Sequence, residues 1–158
     1  MVSSVSALTL ITNCTQLQNM QDNLIENYVL SDNLDCSGIS FNPIGNSTSK
    51  FSGSLDGNSF KIINLSINKI TSYNGLFGYV GKNGAIRNIA IENLNINGSD
   101  YTGGIAGWNE GVIDNSNTIG IIGNGSLASS LGGIAGYNEG TIINSNANIN
   151  LIGHGNRG

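Results

Sequence analysis

Ile62-Ile63-Asn64, Ile86-Arg87-Asn88, Ile113-Asp114-Asn115 and Ile142-Ile143-Asn144 write one short pattern four times: isoleucine, any residue, asparagine. Their asparagines lie 24, 27 and 29 residues apart. A period of about 20–50 residues marks a repeat architecture, in which each unit buries its apolar face only against its neighbours. The residues around each copy say how a unit is built. In Ile62-Ile63-Asn64-Leu65-Ser66-Ile67, positions 65 and 67 share a strand face, whereas 62 has the opposite parity. All three turn inward only if the chain bends between 62 and 65. Asparagine enters the left-handed backbone region more readily than most residues, so Asn64 suits the corner. Ile86, Asn88, Ile89 and Ile91 repeat the arrangement. Stacked corners would set Asn64, Asn88, Asn115 and Asn144 about 4.8 Å apart, close enough for their amides to form a hydrogen-bonded ladder. Asn93 is read as lying outside it.

Composition supports a single solenoid domain. The chain has 158 residues, of which 39% are apolar, 10% are charged and 23 are glycine. Charge is far below the usual quarter, and ample isoleucine and leucine exclude the disordered class. Net charge is −4 with six Lys and Arg spread thinly, so no basic stripe points to nucleic acid. No apolar stretch reaches the length of a membrane span. Leu17, Met20 and Leu24 fall at helical spacing, with Thr12 or Asn13 available as N-cap. Residues 1–27, an entry strand and this helix, are expected to cap the first coil. Residues 28–158 are expected to form a parallel β-helix of about four coils that continues into a further coil.

Gly103-Gly104-Ile105-Ala106-Gly107-Trp108-Asn109-Glu110-Gly111 aligns almost residue for residue with Gly132-Gly133-Ile134-Ala135-Gly136-Tyr137-Asn138-Glu139-Gly140. Asn74-Gly75-Leu76-Phe77-Gly78-Tyr79 is a looser copy. Tyr79, Trp108 and Tyr137 thereby occupy equivalent positions. An inward row would be core; an outward row would offer a strip for a glycan or protein partner.

These runs resemble the GLUG-motif family, through Gly75-Leu76-Phe77-Gly78, Gly104-Ile105-Ala106-Gly107 and Gly133-Ile134-Ala135-Gly136. Tyr28-Val29-Leu30, Asp32-Asn33-Leu34-Asp35-Cys36, Pro43-Ile44-Gly45 and Leu55-Asp56-Gly57-Asn58 are similar to the segment that often precedes such repeats. The resemblance covers about residues 12–158. It implies a right-handed parallel β-helix in an exported, adhesin-like surface protein of a bacterium or archaeon. It also implies no catalytic residues.

The residues themselves carry no catalytic signature. The chain's single histidine, His154, lies in the last segment, and no metalloprotease, nucleophile-elbow or phosphate-loop motif appears. Glu110 and Glu139 are equivalent in successive repeats and are read as splaying into solvent. No enzyme activity, metal or cofactor is expected. The rival readings are a glycan-binding or glycan-cleaving β-helix, or a repeat region accessory to a secreted peptidase. For Cys14 and Cys36 two readings stand: a disulfide if the chain is exported, or two buried thiols.

Overall fold

The computed structural model describes residues 7–124 and 130–152. His154 lies outside the described residues, as do positions 1–6 of the expected entry strand. The chain is a β-solenoid of about four turns whose strands pair in parallel with the coil before and the coil after.

Three ladders run along the axis. Sheet A stacks Thr9–Ile11, Asn27–Leu30, Ser54–Asp56, Ala85–Arg87, Val112–Asp114 and Thr141–Ile143. Sheet B stacks Leu34–Asp35, Lys61–Ile63, Ala90–Gly98, Asn117–Asn124 and Asn146–Ile152, with Ser66–Asn68 also pairing on Ala90–Gly98. Sheet C stacks Phe77–Val80, Ala106–Asn109 and Ala135–Asn138. A short ladder joins Thr102–Gly103 to Leu131–Gly132. Each full coil therefore passes through sheet C, sheet A, a corner, sheet B and the short ladder.

The core is a set of files, one residue per coil. In sheet A the register aligns Tyr28, Leu55, Ile86, Ile113 and Ile142. In sheet B it aligns Leu34, Ile62, Ile91 and Thr118. Leu55, Ile62, Ile86, Ile91 and Ile113 are all fully or almost fully buried. Thr118 breaks the apolar file, but its hydroxyl donates to the Gly133 carbonyl at 2.8 Å, so no donor is stranded.

This register corrects the reading of the first Ile-x-Asn copy. Ile62 pairs with Ile91 and Ile63 with Glu92, which makes Asn93 the counterpart of Asn64. The true spacing there is 29 residues, not the 24 that separates Asn64 from Asn88. Each coil has more than one corner, and different corners use the same local solution. Asn88, Asn115 and Asn144 turn the chain from sheet A into sheet B, at φ of 56°, 47° and 50°. Asn64 and Asn93 bend it within sheet B, at φ of 61° and 53°. In the following coil the second corner is lost. Two residues of the Ala90–Gly98 strand, Glu92 and Asn93, oppose the single Ile119, and Gly120 takes up the shift.

At the amino-terminal end, Thr9–Ile11 is already a rung of sheet A, paired on Asn27–Leu30. The helix that follows is shorter than the spacing predicts. It spans Cys14–Gln18 and tightens into a 3₁₀ turn over Asn19–Asp22. Asn13 caps it by accepting from the Gln16 amide at 2.9 Å, while the Gln16 side chain returns to the Thr12 amide at 2.8 Å. Leu17 and Met20 are completely buried, and Leu24 packs at the core margin.

Candidate functional site

The glycine pairs of the repeated motif are where coils come closest. A Cβ on Gly104 would lie 2.4 Å from the Gly133 carbonyl oxygen of the next coil. A Cβ on Gly107 would lie 2.7 Å from the backbone of Tyr73, and one on Gly136 2.5 Å from that of Tyr101. The last glycine of each of the two later motifs thus makes room for the segment that carries a tyrosine. Both tyrosines are held in the left-handed region, at φ of 68° for Tyr73 and 55° for Tyr101. A bulky side chain there costs about 1–3 kcal/mol. The packing around each must offset that cost.

What it gains is an external aromatic cluster. Tyr79, Trp108 and Tyr137 are in register on sheet C. Tyr79 and Trp108 stack at 5.6 Å and 13°, and Trp108 meets Tyr137 at 4.1 Å and 34°. Tyr73 and Tyr101 form a second stack at 5.2 Å and 16°. The stacks meet edge-on, with Tyr101 against Trp108 at 5.1 Å and against Tyr137 at 6.0 Å. None of the five rings packs into the main apolar cluster, although Tyr79 is itself buried, so the row lies beside the core rather than in it. Yet an outward row is not by itself a binding strip. Stacked rings spend their faces on each other, and the Trp108 Nε1–H edge is buried as well, with no hydrogen-bond partner among the described residues. Tyr79 is 6% exposed, whereas Tyr137, last in the row, is 40% exposed. Tyr73 and Tyr101 escaped sequence reasoning. The signal was a tyrosine 28 residues before another, each just upstream of a Gly-containing repeat motif.

Glu110 does not splay into solvent. Its carboxylate accepts from the Tyr79 hydroxyl at 2.8 Å and pairs with the Lys50 ammonium at 3.1 Å, with 13% of its side chain exposed. Those two donors, the Tyr79 hydroxyl foremost, hold the Glu110 carboxyl below its usual range. Lys50 also sits 4.4 Å from the centre of the Tyr79 ring. Glu139, one coil on, is exposed, so the two glutamates sit in different surroundings.

The asparagines form separate ladders rather than one. At the corner between sheets A and B, Asn115 donates to Asn88 at 2.7 Å and Asn88 donates to Asp56 at 2.9 Å. Asn144 steps off this line and donates to Asp114 at 3.0 Å. At the corner within sheet B, Asn93 donates to Asn64 at 2.6 Å and Asn64 donates to Asp35 at 2.9 Å. Both longer ladders end on a carboxylate, which accepts only and so terminates a run of donors. Asn64 holds the Asp35 carboxyl below its ordinary value, aided by Ser37. Asn109 adds a rung to Asn138 at 2.7 Å along sheet C.

Cys14 and Cys36 are joined as a disulfide, with Cα atoms 5.2 Å apart, fastening the helix to the start of sheet B. Among the described residues, no group of three or more His, Cys, Asp and Glu side chains is placed to hold a metal. Nor, among them, is any helix long and apolar enough to cross a membrane.

Two known proteins are similar to part of this chain. Halomucin of Haloquadratum walsbyi is 42% identical over 95 residues, which is 54% of this chain and 1% of Halomucin. A protein named Gly-rich membrane protein, of Evansella cellulosilytica, is 35% identical over 96 residues, covering 58% of this chain and 11% of its own length. The chain thus matches small parts of much longer relatives. No family profile matches it, and no solved structure does.

Proposed function

We propose that this chain is a structural segment of an exported cell-surface protein, without catalytic activity of its own. The observation that carries the reading is where the repeated residues go. Repeated glycines make room between coils, repeated isoleucines fill the core, and the repeated asparagines and aromatics bond to one another. Where unlike titratable groups do gather, as Lys50 and Tyr79 do around Glu110, they are spent on bonds to one another. Similarity to a halomucin and to a Gly-rich membrane protein supports placement at a cell surface. The resemblance to GLUG-motif repeats of adhesin-like proteins points the same way. In that setting the segment acts as a stiff spacer, and any contact with a glycan or a protein falls on its solvent edges, with no nucleic acid, metal or cofactor involved.

The test is surface labelling of the native organism. An antibody raised against this chain should stain intact cells, and brief external proteolysis should remove the signal. Staining that appears only after cells are permeabilised contradicts the placement.

A further inference from the structure

Five asparagines open an Asn-x-Ser/Thr triplet: Asn13, Asn46, Asn64, Asn97 and Asn124. In an exported chain that triplet is the acceptor for N-linked sugar, which joins the side-chain amide nitrogen. The structure sorts the five by what their side chains already do. Asn64 and Asn97 spend the amide nitrogen on the coil before, donating to Asp35 at 2.9 Å and to Asn68 at 3.1 Å. Asn13 is the helix cap, and the Cys14–Cys36 disulfide holds the rest of its triplet in the helix. Asn124 leads into residues outside the described ones.

Asn46 differs in place and in geometry. Ile44 pairs with Phe77 and Phe51 with Val80, so this coil takes seven steps of chain where the next takes three. The extra length forms a turn over residues 46–49, all of them exposed. Ile44 and Phe51, on either side of it, are completely buried, so the turn stands out from a fixed base. Within it the Asn46 Oδ1 accepts from the Thr48 amide at 3.0 Å, the Thr48 hydroxyl at 2.7 Å and the Ser49 amide at 2.9 Å. The Asn46 backbone amide donates to the Ser49 carbonyl at 2.8 Å. A turn closed by its own asparagine needs no support from another coil. All the side-chain bonds fall on the oxygen, so Nδ2 makes none among the described residues. Asn46 also lines an open groove with Asn42, Lys69, Thr71, Ser72 and Tyr73, which leaves room for a bulky group beside it.

We propose that Asn46 is a site of N-linked glycosylation, an inference that rests on the export proposed above. The donor is a glycan joined through its C1 carbon to a lipid-borne phosphate. The Asn46 Nδ2 bonds to C1, the bond from C1 to the phosphate oxygen breaks, the phosphate leaves with that electron pair, and the amide gives up one proton. The Thr48 hydroxyl orients the carboxamide through its bond to Oδ1. A glycan here would stand clear of the core and of both corner ladders, whereas one on Asn64 or Asn97 would cost a rung.

Peptide mass mapping of the protein from its source cells tests this, with external proteolysis of intact cells run in parallel to report where the chain lies. The result expected is a glycan mass on the Asn46 peptide, with Asn64 and Asn97 bare. Asn46→Gln and Thr48→Ala, made in the same cells, should lose that mass with an unchanged circular dichroism spectrum. Thr48→Ser keeps the hydroxyl and should keep the glycan. A chain that external protease removes, yet with Asn46 bare, overturns the site and leaves the surface placement standing. A chain that protease cannot reach, bare at every asparagine, overturns both. Sugar on Asn64 or Asn97 in place of Asn46 overturns the assignment, and so does sugar that survives Thr48→Ala.

Discussion

Asn93 donates its side-chain amide to Asn64 at 2.6 Å, across a spacing of 29 residues. Both residues have positive φ, so each rung fixes a corner as well as making a bond. The next rung down is Asp35, which accepts from Asn64. The corner therefore depends on the line of side chains more than on any one of them.

Replacing Asn93 separates the two contributions. Asn93→Ala loses the bond, worth about 0.5–1.5 kcal/mol, and places alanine in the left-handed region at about 1–2 kcal/mol more. Asn93→Gly loses only the bond, so it should destabilise less. Asn95→Ala, at an exposed position in the same strand, should fall within about 0.5 kcal/mol of the parent. Urea melts of the three variants give the ordering. An Asn93→Ala midpoint equal to that of Asn95→Ala contradicts the ladder.

How much of this was readable from the chain is clearest at that same corner. The bend at Ile62-Ile63-Asn64 was legible, because an inward isoleucine on each side of one asparagine leaves the backbone no straight path. Which coil stacks on it was not legible. Ile-x-Asn at Ile86 turns sheet A into sheet B, whereas at Ile62 it bends sheet B. Local sequence describes both identically, and only pairing across coils tells them apart. The carboxylate ends of the ladders, Asp35 and Asp56, were hidden for the same reason. The aromatic row followed directly from the aligned Gly-rich runs. Its partners Tyr73 and Tyr101 did not, because their left-handed backbone runs against what tyrosine prefers. Lys50 reaches Glu110 across 60 residues, which no local pattern records.

The glycines that admit the tyrosine segments make a second prediction. Gly107→Ala drives a methyl group against the Tyr73 backbone at 2.7 Å, where no flexible side chain can give way. Overpacking of this kind costs about 1–3 kcal/mol. Gly123→Ala meets its nearest atom at 3.7 Å and should be close to neutral. Thermal melts compare the two, and tryptophan fluorescence of Gly107→Ala should report a disturbed Trp108. Equal tolerance at both glycines would mean the segment does not pack as described.

Acid should weaken the structure through two named carboxylates. Asp35 and Glu110 are both held below their ordinary values in the folded chain, by Asn64 and by Tyr79 with Lys50 respectively. A group depressed on folding stabilises the protein above its unfolded value, near pH 4, and that contribution fades as pH falls through the folded value. Stability should therefore be level from neutrality to about pH 5 and decline below about pH 4. Glu110→Gln should flatten part of that decline. Urea midpoints measured across the range check this, and an identical acid slope in parent and variant contradicts the assignment.

Severing the link between helix and sheet B tests the fold from its amino-terminal end. The disulfide spans 22 residues, for which the chain-entropy account gives about 3 kcal/mol. Cys14→Ser with Cys36→Ser should lower the urea midpoint accordingly. Intact mass after thiol alkylation should show no free thiol in protein isolated without reductant until it is reduced. Two alkylated cysteines before reduction contradict the link.

The whole fold rests on the register of the coils, and cross-linking reads that register residue by residue. Neighbouring parallel strands lie about 4.8 Å apart, within the Cα separation a disulfide spans. Asn64→Cys combined with Asn93→Cys should form a cross-link on mild oxidation, found by peptide mapping alongside the native Cys14–Cys36 bond. Asn64→Cys combined with Asn88→Cys should not, because those residues turn different corners. Cross-linking of the second pair and not the first would restore a single ladder with a 24-residue first step and contradict the fold as described.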